Sequence, residues 1–238
     1  MTKFAVVCWK WKSLTPYRST FNAAAVNILY NMVKRHLHIP FEFICITDDA
    51  AGINPDIRII DLWENPVPIY GGVQRPNCFY RVKAFSEAMK DIIAERFLWL
   101  DLDAVILKDI TPLVANDVDF KIWGDTNPTT PYNGSMVLMN AGARKQVYEE
   151  FDPKVSPHLG VTKNYIGSDQ AWIGYCLGEN EQTFTKSDGV YSYRMDIRLK
   201  FPLDFVPEEA RIVFFHGKHD PWDDQMQQHH KWVRDNYK

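Results

Sequence analysis

The stretch Phe97-Leu98-Trp99-Leu100-Asp101-Leu102-Asp103-Ala104-Val105-Ile106-Leu107, FLWLDLDAVIL, decides how this chain reads. Its first four residues form a continuous apolar run, the pattern of a strand covered on both faces rather than one with a face in water. Asp101 and Asp103 follow at i and i+2, a spacing that in extended structure points both side chains to the same side of the chain. Two like charges so close to a buried strand repel and raise one another's pKa unless a cation holds them, so the pair predicts a bound divalent metal. In open α/β sheets ligands bind beyond the carboxyl ends of the strands, and the pair falls at such an end.

Working outward, Phe4 to Trp9 reads as a strand, and Phe21, Ala25, Ile28, Leu29, Met32 and Val33 follow helical spacing. Phe41 to Thr47 and Ile57 to Leu62 are two further β-rich runs separated by a Gly/Asn/Pro turn region. After a Pro- and Gly-rich loop from Asn65 to Pro76, the segment Phe79 to Glu95 places Phe79, Val82, Phe85, Met89, Ile92 and Ile93 on one helical face. Strands alternating with helices predict an α/β fold with a mixed, mostly parallel sheet flanked by helices. Downstream, Val118 to Gly124 and Ser135 to Asn140 read as a mixed or antiparallel region. Gly142 to Phe151 and Ser168 to Leu177 read as helices, Arg211 to Phe215 as a late buried strand, and Trp222 to Tyr237 as a polar C-terminal helix. No repeat or linker splits the chain, and residues 1–238 are expected to form a single domain.

With 238 residues, 46% of them hydrophobic, the chain can bury one sizeable core. A net charge of −3 gives no global basic field, so no nucleic acid is expected as a partner. The apolar start stops at Lys10, too early for a signal peptide or a transmembrane segment, and no other stretch approaches a span. Cys8, Cys45, Cys78 and Cys176 are widely spaced without a CxxC pair, which fits reduced thiols and a cytoplasmic location.

The order FAVVCW, DLD (101–103), YNGSMVLMN (132–140), GSDQAW (167–172) and FFHGKHDPW (214–222) resembles the GT-A glycosyltransferases, most closely the family 8 type that includes glycogenin and bacterial galactosyltransferases. The resemblance covers most of the chain. It implies a nucleotide-sugar donor, with UDP favoured, an unidentified acceptor (a glycan, lipid-linked sugar or protein), and retention of anomeric configuration. It also implies Mn²⁺, or Mg²⁺, on the donor diphosphate, held by Asp101 and Asp103. A metal fixed in this way stabilises the charge that develops as the sugar–diphosphate bond breaks.

The same resemblance distributes further roles. Asp169 is the first catalytic candidate and Gln170 would orient the sugar, although Ser168 and Asp169 also read as an ordinary N-cap and an acidic first turn. Arg81 or Lys83 is expected to reach the donor; an i, i+2 pair on a helix does not share a face, so at most one need point inward. Cys8, Trp9 and Lys10 occupy the base and ribose position, with Trp9 as a stacking platform. Leu102 joins the donor-contacting set, as does Asn133 within Tyr132-Asn133-Gly134, which ordinary Asn-Gly turn chemistry also explains. In glycogenin-like sequences the metal-binding histidine stands three residues before the glycine, where this chain has Phe214. The basic residue before Pro-Trp is here Asp220. His216 is therefore assigned as the displaced metal ligand with His219 in reserve, and Gly217 and Lys218 as diphosphate contacts.

Two rival readings share the letters. FLWLDLDAVIL also resembles the hhhDxDxV motif of haloacid dehalogenase-like phosphatases, with Asp101 as nucleophile, but that motif normally opens its domain. A non-catalytic nucleotide-sugar or glycan-binding module on the same scaffold is the second. The loops Asn65 to Pro76 and Asp125 to Pro131 are expected to set base, sugar and acceptor.

Overall fold

The computed structural model describes residues 4–12, 21–67, 77–124, 126–199, 202 and 204–238. Most of the loop from Asn65 to Pro76, and residue 125 of the second specificity loop, lie outside the described residues.

Ten strands are described: β1 (Phe4–Lys10), β2 (Glu42–Thr47), β3 (Arg58–Asp61), β4 (Arg96–Leu100), β5 (Ala104–Ile106), β6 (Phe120–Trp123), β7 (Asn133–Asn140), β8 (Thr183–Phe184), β9 (Val190–Ser192) and β10 (Ile212–Phe214). Seven form one sheet in the order β3-β2-β1-β4-β7-β6-β8, and β5-β10-β9 form a second. In the large sheet only β7 runs against its neighbours, pairing antiparallel with both β4 and β6. The other pairs are parallel.

The apolar run of β4 sits between β1 and β7, and its side chains alternate between two cores. Leu98 and Leu100 join Val6 and Cys8 on the face covered by the helix Ala23–His36. Phe97 and Trp99 join Val7 and Trp9 on the face covered by Phe79, Val82, Phe85 and Trp172. Helices on both faces are what an all-apolar central strand demands, because neither face can be left to water. The first of them is capped by Asn22, whose Oδ1 accepts from Ala25 N at 3.0 Å, and it ends on Lys34, Arg35 and His36 at the negative end of its dipole.

The carboxylate motif lies on the seam between the two sheets. Asp101 N donates to Ser135 O of β7 (2.9 Å), and Asp103 O accepts from Phe215 N, just past β10 (2.9 Å). Leu102 is buried between them.

Three expected elements are divided differently. Phe79 to Glu95 is a 3-10 helix, Phe79–Phe85, and a short α-helix, Met89–Ile92, interrupted by the extended Ser86 (ψ 143°). The helix expected over Gly142 to Phe151 is a turn followed by Gln146–Glu149. The C-terminal helix breaks at His230 (φ −117°, ψ 97°) into Asp224–His229 and Lys231–Asn236, which lets His230 turn its ring inward onto Tyr193. Strands β5, β8 and β9, two or three residues each, were too short to leave a periodic signal. No helix among the described residues is long and apolar enough to cross a membrane.

Leu98 is fully buried on a central strand, so Leu98→Ala removes packing that neighbours cannot refill. The expected loss is about 2–5 kcal/mol of unfolding free energy, measured by urea denaturation.

Candidate active site

At the carboxyl edge of β4, Arg81 leaves the 3-10 helix Phe79–Phe85 and enters the protein almost completely buried. Its Nη1 donates to Asp101 Oδ1 at 2.5 Å and to Gly134 O at 3.0 Å. Its Nε and Nη2 both meet Asp169 Oδ2 at 2.7 Å, and its guanidinium carbon lies 4.8 Å from the Trp99 ring. One guanidinium thus joins Asp101, at the end of β4, to Asp169, the first residue of the helix Asp169–Leu177. Burial opposes the charge on Arg81, yet Asp169 and Asp101 outweigh it and strengthen its hold on its proton. Burial also pushes the Asp101 carboxyl up; Arg81 and a Ser135 hydrogen bond pull it down, and Asp169 pushes it up again.

Gly134 makes this approach possible. A Cβ there would stand 3.1 Å from Arg81 Nη2 and 3.2 Å from Asp169 Oδ2, while its carbonyl accepts both Arg81 and Trp99 Nε1 (2.7 Å). The Asn-Gly letters therefore carry two features at once, since Asn133 Oδ1 also closes a local turn on Ser135 N at 2.9 Å. Tyr132 is buried and its hydroxyl accepts from Glu181 N at 3.0 Å, a structural contact.

Half of the helix-capping alternative at residues 168–169 fails on geometry, although Asp169 does stand in the first helical turn. Ser168 makes no side-chain cap; its Oγ accepts from Cys78 N at 2.8 Å, and the Asp169 carboxylate turns to Arg81. Gln170 lies against Gly167, where a Cβ would come within 2.6 Å of its side chain. Its Nε2 donates to Ile166 O at 3.0 Å, and its Oε1 lies 3.5 Å from Gly134 N. Of the basic pair, Arg81 points inward; Lys83 is half-buried with its Nζ 5.1 Å from the Trp63 ring.

Several expected donor contacts are placed otherwise. The Trp9 side chain is core, 4.9 Å from Trp99 in an edge arrangement, and does not present a stacking face. Cys8 and Leu102 are buried among apolar neighbours, leaving only their backbone for a ligand. Lys10 is buried with Nζ 4.0 Å from Asp49 Oδ2. The half-buried aromatic pair next to this edge is Trp11 with Tyr80, 5.2 Å apart, which periodicity could not single out.

The structure does not gather Asp101, Asp103 and His216 into a ready-made cage. Among the described residues no group of three or more His, Cys, Asp or Glu side chains is placed to hold a metal ion. Asp101 is drawn to Arg81, and His216 Nε2 is 2.7 Å from Ser192 Oγ. The carboxylates still suit a hard divalent cation: two carboxylates on one guanidinium leave a net negative charge at the cleft, and Asp103 follows two residues on. Mg²⁺-type ions commonly bind through one or two carboxylates plus substrate phosphates, without an all-protein cage.

His216, Gly217, Lys218 and His219 line a pocket of ≈ 430 Å³ together with Tyr193, Arg194 and Arg198. The last three come from a π-helical turn, Tyr193–Ile197 and the residue after it, that gave no sequence signal. The loop carrying His216 to His219 and Asp103, just before β5, lie at the same edge of the small sheet.

No protein-family model matches this chain, and no curated protein is significantly similar to it. Among solved structures it is similar to the galactosyltransferase LgtC in complex with donor and acceptor sugar analogues (TM-score 0.61, 13% identity, covering 97% of this chain and 93% of that one). It is also similar to the glycosyltransferase GlyE of Streptococcus pneumoniae TIGR4 (TM-score 0.56, 14% identity, 92% of this chain and 57% of that one). A third is the bifunctional WbbM apo structure (TM-score 0.55, 12% identity, 93% and 47%). The fold is that of the GT-A glycosyltransferases, as the motif order led us to expect.

Removing one partner from a buried ion pair leaves uncompensated charge. Arg81→Met is expected to cost about 3–5 kcal/mol of stability by chemical denaturation, and Arg81→Lys also loses stability, because a lysine cannot supply two fixed N–H groups to Asp169 while reaching Asp101.

Proposed function

We propose that this protein is a glycosyltransferase that moves a sugar from a nucleotide-sugar donor, UDP-linked by preference, to an acceptor hydroxyl with retention of configuration. The observation that carries this reading is the single guanidinium of Arg81 gathering Asp101 and Asp169 at the carboxyl edge of a GT-A sheet. Chain segments far apart in sequence supply these groups and bring them to one point.

In this reading the bond from the anomeric carbon to the β-phosphate oxygen breaks with its electron pair staying on the diphosphate. The acceptor oxygen bonds to the same face of the sugar, and its proton passes to the departing diphosphate. Asp169 steadies the positive charge developing at the anomeric carbon, in an orientation fixed before the donor arrives. Both Arg81 N–H groups already fall on its Oδ2, which suits electrostatic stabilisation better than nucleophilic attack and favours the front-face route over a covalent intermediate. Gln170, pinned against Gly167, orients the sugar. Asp101 and Asp103 would hold Mn²⁺ or Mg²⁺, which when bound offsets charge on the diphosphate. His216 and His219, as pocket residues, are assigned to the diphosphate side rather than to the metal. The four free cysteines support a reducing compartment, the cytoplasm. A phosphatase using Asp101 as nucleophile has no support in this geometry, since Arg81 already occupies its Oδ1.

The test is a panel of nucleotide sugars with purified protein, with and without Mn²⁺, read by melting temperature and by nucleoside diphosphate release. Release from at least one donor and none of inorganic phosphate from an aryl phosphate is the expected outcome; the reverse pattern overturns the reading. Asp169→Asn should keep donor binding and lose transfer by a factor of about 10²–10³. Asp103→Asn should abolish the Mn²⁺-dependent part of turnover while the protein stays folded. Full turnover at saturating donor in that variant would remove Asp103 from the metal.

A further inference from the structure

Resting on the donor reading above, we infer that Arg194 and Arg198 form the cationic wall of a diphosphate pocket on this edge of the fold.

The pocket of ≈ 430 Å³ is lined by Tyr193, Arg194, Arg198, His216, Gly217, Lys218 and His219. Among the described residues three permanent cations and two imidazoles face it, and no carboxylate does. Such a concentration of like charge is unfavourable in the free protein and is relieved by a bound polyanion. It lies at the carboxyl ends of β9 and β10, which run parallel, so both loops leave the sheet on the same side.

The scaffold under the arginines is rigid while the arginines themselves are available. Ser192 N donates to Asp196 Oδ2 at 2.9 Å and Ser192 Oγ accepts from Met195 N at 3.0 Å, closing the turn at its base. Arg198 N donates to Tyr193 O at 2.8 Å, a hydrogen bond over five residues that widens the turn and sets Arg194 and Arg198 toward one side. The Tyr193 ring stacks on Phe215 at 4.4 Å, and its hydroxyl meets His230 Nε2 at 2.9 Å. By contrast Arg194, Arg198 and Lys218 are exposed and form no ion pair among the described residues.

Gly217 fits the same purpose. Its φ of +118° suits only glycine, and a Cβ there would stand 3.1 Å from Arg194 Cδ. The Arg194 stem therefore lies across bare backbone at the residue joining His216 to Lys218. Arginine forks recognise phosphate oxygens in pairs, and a diphosphate has enough oxygens to engage several of them.

Inorganic pyrophosphate, titrated calorimetrically in EDTA at low salt, reports on the pocket without depending on base, sugar or metal. Wild type should bind, and Arg194→Ala and Arg198→Ala should each weaken binding roughly tenfold or more. Lys90→Ala, on a distant surface, should leave it unaltered. Both arginine variants should melt no lower than wild type, since neither side chain holds the fold. With a turned-over nucleotide sugar, the double variant should raise the donor KM while binding the bare nucleoside as wild type does. Pyrophosphate affinity indifferent to both arginines overturns the inference, as does a rise in acceptor KM alone, which would assign the phosphate to the acceptor; in either case the glycosyltransferase reading stands. Arginine-dependent pyrophosphate binding with no nucleotide sugar bound or turned over keeps the pocket and removes the donor reading.

Discussion

The ion pairs of Arg81 with Asp101 and Asp169 are the constraint around which the rest of the cleft is arranged. Burying Arg81 and Asp169 beside the half-buried Asp101 is costly, and only close, multiply hydrogen-bonded geometry offsets that cost. The arrangement explains several otherwise unrelated choices: a glycine at 134 where any side chain would intrude, a tryptophan at 99 whose ring backs the guanidinium, and a helix that opens without a serine cap because its aspartate is committed elsewhere. In the proposed reading stability and chemistry are coupled, since the groups assigned to act on a sugar also close the core beneath them.

The carboxyl edge divides into two halves with different electrostatics. On the β4 side, carboxylates outnumber the one guanidinium and the local field is negative. On the side of the small sheet, the described residues lining the pocket include Arg194, Arg198, Lys218, His216 and His219 and no carboxylate. A donor with a sugar that becomes positive and a diphosphate that becomes more negative would be oriented by such a field before any single contact formed. Phe214 is fully buried, 4.7 Å from the Trp123 ring, and serves packing.

Much of this was legible in the sequence, for identifiable reasons. The strand at Phe97–Leu100 announced itself because burial on both faces leaves an unbroken apolar run, and Asp101, Asp169 and Arg81 were marked by charge in the wrong place or by motif order. What was not legible depended on contacts distant in the chain. Trp9 and Trp11 are two residues apart with the same chemistry, and only the pairing of β1 with β4 decides that Trp9 packs on Trp99 while Trp11 reaches Tyr80. Arg194 and Arg198 sit in a five-residue turn with no periodicity, and the strand before it is three residues long. The His216 assignment followed from its place before Gly217; Ser192, whose hydroxyl shares a hydrogen bond with its ring, stands on another strand.

The seam at Leu102 carries a consequence for how this protein can vary. One end of the Asp-Leu-Asp segment is tied to the ladder of the large sheet through Ser135, the other to the small sheet through Phe215. Its length is therefore set by two frameworks at once, whereas the middle position asks only for a side chain that fills its apolar hole. Drift should be tolerated there in residue identity but not in residue count: a single insertion or deletion would rotate one aspartate out of the cleft and pull the two sheets out of step.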